Sequence, residues 1–315
     1  MHNKSIINKN NINEMLPFLC CPIDGSTLAL QNGELVSEKG RHYKIDANGI
    51  PMFAEEFCSE DAIVQRQHYD HVSTAYLNNL EYPHTQEYMD YLDDILRKAV
   101  GLGPLGVTAE ICCGGGEAFN LFAKQMKLGV GVDVSLNMLT AAHNKISSDT
   151  LSLIQGDATR LPLKSNSIDT IIMLGGIHHV PDRHALFSQL SRVLKPGGRF
   201  IWREPLSDFW LWRFLRAIIY RVSPMLDNET ERPLLFSETE PLLRASGFKL
   251  NSWSTCGFIG FCFFMNSDVL FFNRFLRFIP GIRIISRMAA KFDSNILKIP
   301  GLRRAGLQVV GIAVN

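Results

Sequence analysis

Thr108-Ala109-Glu110-Ile111-Cys112-Cys113-Gly114-Gly115-Gly116 is an apolar run that breaks into a triple glycine; one helix length later a second short apolar run ends in Gly131-Val132-Asp133. That order is the pattern of a nucleoside-binding βαβ unit. Glycines let the backbone approach a ligand where a Cβ would collide. The helix that follows offers its N-terminal N–H groups to a carboxylate or phosphate. Asp133 stands at the end of the second strand, where a carboxylate accepts hydrogen bonds from both ribose hydroxyls. Each such charge-assisted bond is worth about 1.5–3 kcal/mol.

Further strands and helices follow on both sides of this unit. Val107–Cys112, Val130–Asp133, Leu151–Ile154, Thr170–Leu174 and Arg199–Trp202 are short β-prone runs. Between them lie the helix-length segments Ala118–Lys127, Asn137–Lys145 and His184–Leu194. Strand and helix alternating at this spacing predict βαβ crossovers. The fold class is therefore α/β, a Rossmann-like seven-stranded, mostly parallel sheet with helices on both faces. Toward the C-terminus, Ser237-Glu238-Thr239-Glu240 opens a helix that Gly247 closes, Lys249–Thr255 reads as a strand, and Leu307–Val314 as the last one.

Three more motifs follow in series. Gln155-Gly156-Asp157-Ala158 ends the third strand and puts Asp157 where it could accept from an adenine amino group. Leu174-Gly175-Gly176-Ile177-His178-His179-Val180 leaves the fourth, and Leu194-Lys195-Pro196-Gly197-Gly198 turns into the fifth. This succession resembles the class I S-adenosylmethionine-dependent methyltransferases, in particular the methyltransferase type 11 and quinone C-methyltransferase branch. The resemblance covers about residues 105–205. It implies S-adenosyl-L-methionine as cofactor, with Glu110 and Gly114 to Gly116 along the methionine moiety. It likewise implies Asp133 at the ribose, Asp157 and Ala158 around the adenine, and Leu174 beside the sulfonium. Cys112, Val134, Met138 and Gly175 complete the implied cofactor-binding set. Cys112 stands where the family most often has its first glycine; as a strand residue it would be tolerated.

A nicotinamide dehydrogenase would instead show Gly-x-Gly-x-x-Gly for a pyrophosphate. Here Glu117 follows the glycines, and an acid at a helix start repels a pyrophosphate while suiting the ammonium of a methionine. Methyl transfer from a sulfonium depends chiefly on positioning, and a base contributes if the acceptor must lose a proton. His178 and His179 are the catalytic candidates, with Glu204 at the exit of the fifth strand as a third.

The remaining chain bounds the reading. With 315 residues, 46% hydrophobic and 20% charged, it is long enough for one large domain and an appendage, and its net charge of +1 gives no global pull toward nucleic acid. Seven cysteines, two pairs of them adjacent, suit reduced thiols, and no secretory h-region is visible, so a cytoplasmic location is expected. Residues 1–14 are polar and expected to be disordered. Residues 15–56 read as a small β module with Asn-Gly turns at Asn32-Gly33 and Asn48-Gly49. It resembles a degenerate zinc-ribbon-like domain, with Asp24 where a second thiolate would stand. Cys20, Cys21, Asp24 and His42 fall short of a structural zinc site, so no metal is expected.

Residues 60–315 form the expected catalytic domain, starting with a tyrosine-rich helical region over 60–100. Tyr69 and Tyr76 are substrate-side candidates, since a tyrosine offers an apolar face and a polar tip. A helical insert at 257–306 is rich in phenylalanine and carries eight basic residues against Asp268 and Asp293. It reads either as a lid or packing element or as a peripheral membrane contact. The expected function is methyl transfer to an apolar small-molecule acceptor, quinone-like, lipid-linked or a secondary metabolite. The alternatives are an RNA or protein methyltransferase and a non-catalytic cofactor-binding scaffold.

Overall fold

The structure, a computed structural model, describes residues 12–146, 151–215, 232–265 and 273–315, without the side chains of 72–79. The chain divides into two compact units. One comprises Met1–Asp70, Pro104–Ile172 and His184–Arg199, the other His71–Gly103, Met173–Arg183 and Phe200–Asn315.

The first unit begins with a helical turn, Ile12–Met15, whose Met15 is fully buried. Residues 1–11 of the stretch expected to be disordered lie outside the described residues. Strands β1 (Leu28–Gln31), β2 (Glu34–Ser37) and β3 (His42–Tyr43) form an antiparallel sheet in that order. Asn32 and Gly33 turn β1 into β2 with φ of 52° and 84°, the left-handed pair that an Asn-Gly hairpin supplies. At the second turn the Asp46 carboxylate accepts from Asn48 N (2.9 Å) and Ile50 N (2.7 Å).

Strands β4 (Gly106–Ile111), β5 (Met126–Asp133) and β6 (Leu151–Gln155) run parallel, with Glu110 opposite Gly131 and Asp133 opposite Gln155. The N-terminal segment pairs with the last residue of β6. Gln155 N donates to Pro51 O (2.9 Å), and nearby Cys20 N donates to Pro162 O (3.1 Å) and Lys164 N to Phe18 O (2.8 Å). An edge strand left bare would be open to pairing with another chain, and this segment occupies its end. Ile50, from the Gly-Ile-Pro end of the module, packs in one cluster with Cys113, Phe119, Leu139, Ala142 and Leu153.

The full sheet has seven strands. With β7 (Ile168–Leu174), β8 (Leu194–Pro205), β9 (Lys249–Cys256) and β10 (Gln308–Val314), the order is β6-β5-β4-β7-β8-β10-β9. Strands β4 and β7 are parallel, and β10 is antiparallel to β9. Helices among the described residues include α1 (Glu60–Asn79), α2 (Pro83–Val100), α3 (Glu117–Phe122), α4 (Leu136–Lys145), α5 (Arg183–Val193), α6 (Phe236–Ala245), α7 (Ile259–Phe264) and α8 (Ile282–Ile296). The helix expected over 118–127 is shorter: it ends at Phe122, a 3-10 turn follows, and β5 begins at Met126. The alternating Met126, Leu128 and Val130 suit a strand better than a last helical turn.

The second unit is built on two buried features. Trp202 on β8 is fully buried against Gly311 on β10, where an added Cβ would lie 2.1 Å from the indole ring. Gly311→Ala is expected to destabilise the protein by about 1–3 kcal/mol, read as a lowered denaturation midpoint in guanidinium. The Asp293 carboxylate on α8 is also fully buried. It accepts from the Tyr88 hydroxyl and from the backbone N–H of Phe258 (2.7 Å), Gly260 (3.1 Å) and Phe261 (3.2 Å). One side chain thus ties α2, α8 and the start of α7 together. Among the described residues no group of three or more His, Cys, Asp or Glu side chains is placed to hold a metal.

Candidate functional site

The glycine loop of the first unit is shaped by backbone requirements that few residues meet. Gly114 and Gly116 have φ of 47° and 75°. A Cβ on Gly116 would lie 2.2 Å from Ile146 Cδ1. Cys112 is not in strand geometry: its φ is 54°, in the left-handed region. An L side chain in that region costs about 1–2 kcal/mol. Cys112→Gly is expected to preserve the fold and to raise the thermal midpoint slightly, because relief of that strain outweighs the added freedom of the unfolded chain.

Two carboxylates face this loop. Glu110, at the end of β4, is 1% exposed; Oε1 accepts from Ala118 N at the start of α3 (2.9 Å), and Oε2 is a buried acceptor without a hydrogen-bond partner among the described residues. Burial holds its carboxyl well above the usual range. Asp133, at the end of β5, accepts from Gly114 N (2.8 Å) and Ser135 N (2.9 Å), and burial raises it as well. Asp133 thus shapes the glycine loop and the start of α4 while keeping lone pairs for a ligand.

Ser135 is a residue that motif reading missed. Its hydroxyl caps α4 by accepting from Met138 N (3.2 Å) and donates to Asp70 Oδ1 on α1 (2.5 Å). A serine just before an apolar helix is a readable cap signal. Its link to α1 spans 65 residues and has no local signature. Asp157 is buried and accepts from Ser59 N (2.8 Å) and from Thr159 N and Oγ1 (both 2.7 Å). It therefore anchors the N-terminus of α1 as well as lying at the end of β6. Ala158 and Met138 are buried, and Val134 accepts from Gln155 Nε2 (3.1 Å). Tyr69 lies half-buried on α1, and the side chain of Tyr76 lies outside the described residues.

In the second unit, Leu174 ends β7 and Gly175 follows with φ of 72°, its N–H donating to Arg203 O (2.8 Å). The turn Ile177–His179 is fastened to Glu204 on β8. Glu204 is fully buried; Oε1 accepts from Gly176 N (2.7 Å) and Ile177 N (2.8 Å), and Oε2 lies 2.8 Å from His178 Nδ1. A carboxylate only accepts, so Nδ1 carries the proton and Nε2 keeps its lone pair. The His179 ring packs on His178 with centroids 3.9 Å apart. Glu204 therefore acts on His178 and is itself screened from solvent.

In the N-terminal module, the side chains weighed as metal ligands have the following partners. Cys21 Sγ lies 3.0 Å from the Tyr43 hydroxyl, and Cys20 is buried. His42 pairs with Glu34 (3.0 Å). Asp24 accepts from Ser26 N (3.0 Å) and Oγ (2.5 Å), which lowers its carboxyl to about 2.

The family described as a methyltransferase domain matches residues 109–202. Those residues resemble a methyltransferase domain. The matched span holds Glu110, the glycine loop, Asp133, Asp157 and the His178-His179 turn. Similar proteins are demethylmenaquinone methyltransferases. That of Staphylococcus aureus strain MRSA252 is 35% identical over 99 residues, 30% of this chain and 41% of the relative. That of Lactiplantibacillus plantarum is 29% identical over 123 residues, 35% of this chain and 52% of the relative. The chain thus spans about half the length of these curated relatives. Among solved structures, the [4+2]-cyclase SpnF superposes with TM-score 0.57 (17% identity, 82% of this chain, 97% of that one). A SAM-dependent methyltransferase of Thermotoga maritima superposes with TM-score 0.52 (19% identity, 79% and 98%).

The methyltransferase domain and its fold imply S-adenosyl-L-methionine as the cofactor. The residues of the first unit fit it. The orphaned Glu110 Oε2 is a buried acceptor suited to an ammonium, and Asp133 is a carboxylate suited to a diol. That one neighbour is named a cyclase shows that the fold alone does not set the chemistry, which lies in the site.

Proposed function

We propose that this chain is an S-adenosylmethionine-dependent methyltransferase acting on an apolar small-molecule acceptor of quinol type. The observation that carries this reading is His178 held by the buried Glu204, with Nδ1 2.8 Å from Oε2. A base oriented by a buried carboxylate is what an acceptor hydroxyl requires if it is to lose its proton as the ring is methylated. The likeness to demethylmenaquinone methyltransferases supports a quinol over a nucleic acid or peptide.

In this reading the first unit binds the cofactor. Glu110 Oε2 would accept from the ammonium and Asp133 from the ribose hydroxyls, and the Gly114–Gly116 backbone would leave room for close approach. Asp157 and Ala158 would frame the adenine. When bound, the cofactor supplies a methyl group already activated on a cationic sulfur. His178 is the proposed proton acceptor. His178 Nε2 takes the acceptor's proton, Glu204 holds the imidazole in the Nδ1–H tautomer and stabilises the imidazolium, and His179 stacks on the ring. Tyr69 and Tyr76 are assigned to the acceptor side.

The test is a transfer assay with methyl-labelled cofactor and a naphthoquinol bearing an apolar tail. Label is expected on a ring carbon of the quinol. Cofactor binding without transfer to any quinol would remove the acceptor assignment, and absence of cofactor binding at millimolar concentration would remove the whole reading.

A further inference from the structure

The stretch from Asn273 to Gly306 is the largest feature that methyl transfer leaves unused. Its eight basic residues are all exposed, and its sole acid, Asp293, is fully buried among hydrogen-bond donors. Helix α8 turns Ile282, Ser286, Ala290 and Asp293 inward. Outward it shows Ile284, Ile285, Met288 and Phe292, which are 63%, 46%, 68% and 50% exposed. At about 100° per residue these four fall in one stripe. Arg283, Arg287 and Lys291, four apart, make a cationic stripe along its flank.

The preceding turn, Asn273–Phe278, extends the same pattern. Phe275 and Phe278 are 56% and 69% exposed, and the guanidinium groups of Arg274 and Arg277 lie over their rings at 5.4 and 4.8 Å. From α2, Glu87 pairs with Arg287 (2.6 Å) and Gln86 accepts from Arg283 (3.2 Å), so one of the eight charges is offset. Contiguous apolar exposure of this kind marks an interaction site.

We propose that this face docks on an anionic lipid surface. Apolar side chains flanked by cations, with no exposed acid among the described residues of the stretch itself and with Asp90 of α2 acting on Arg287, match acyl chains beneath anionic headgroups, and the long basic side chains can keep their charges at headgroup level. A second copy of the chain would oppose this face with eight like charges of its own. No helix among the described residues is long and apolar enough to cross a membrane, so α8 would lie in the interface plane. The inference rests on no assumption about methyl transfer.

The full chain is to be mixed with vesicles of phosphatidylcholine and phosphatidylglycerol in equal parts, and with phosphatidylcholine alone, at low salt. Partition onto the anionic vesicles is expected, weakened about tenfold or more on neutral vesicles or at high salt. Met288→Glu with Phe292→Glu is expected to reduce it at least as much while leaving cofactor binding unchanged, since both side chains point to solvent. Arg274→Glu with Arg277→Glu removes cations without touching α8 and is expected to weaken binding to anionic vesicles only. Absence from anionic vesicles at low salt would overturn the proposal, as would partition indifferent to these substitutions. A dimer in sedimentation velocity that Met288→Glu dissociates, with no vesicle binding, would assign the face to a second copy instead.

Discussion

His178→Ala is expected to lower kcat by about 10²- to 10⁴-fold while leaving the cofactor dissociation constant, measured by calorimetry, unchanged. The loss falls on kcat because the proposed base acts during the chemical step, whereas the cofactor is assigned to Glu110 and Asp133. Glu204→Gln makes a sharper test. Its new amide N–H₂ would face His178 Nδ1, now 2.8 Å from Oε2, and force that nitrogen to become the acceptor. The proton would then sit on Nε2, where a base needs a lone pair. The two single substitutions are expected to cost nearly the same, and the double variant little more than either, because the pair works as one device. The limb of the pH–rate profile that reports the base should vanish in all three. Full activity in His178→Ala with a quinol acceptor would remove the histidine from the mechanism, and additive losses would remove the coupling to Glu204.

Glu110→Gln is expected to weaken cofactor binding by about 10- to 100-fold without lowering protein stability. The glutamine carbonyl can still accept from Ala118 N, so the start of α3 is kept. The charge offered to an ammonium is lost, which is worth about 1.5–3 kcal/mol. The pH dependence follows from the raised carboxyl of Glu110. The folded chain holds a proton there that the unfolded chain has released above its ordinary value of about 4.3. Glu110 therefore makes stability fall as pH rises from that value toward the folded-state one, and Glu110→Gln should lack this slope. Cofactor binding favours the carboxylate, so affinity should rise with pH through the same window, with proton release visible when calorimetry is repeated in buffers of different ionisation enthalpy. Unchanged affinity in Glu110→Gln would detach this carboxylate from the ligand. Asp133→Ala should be more severe, since it also removes the acceptor for Gly114 and Ser135 N–H.

Local chemistry made much of the fold legible. The apolar runs at 130–133, 151–154 and 170–174 lie within strands, and the run at 107–112 does so as far as Ile111, because a buried parallel strand must be nearly continuous in β-branched and aliphatic side chains. Asn32-Gly33 makes its hairpin because few other residue pairs accept two positive φ angles. The same reasoning failed at Cys112. A cysteine reads as an ordinary strand end, and nothing in its neighbours announces a φ of 54°.

Determined by sequence alone, then, are the βαβ pattern around Thr108–Gly116, the acids at positions 110, 133 and 157, and the histidine turn after β7, since each follows from periodicity or residue type over a few positions. Tertiary structure alone decided which partner each of these groups takes. It gives Glu204 to His178 across 26 residues, Asp157 to Ser59 across 98, Ser135 to Asp70 across 65, and Asp293 to Tyr88 across 205. The physical reason is that a buried polar group must find a partner wherever packing brings one, and packing joins residues that no local period relates.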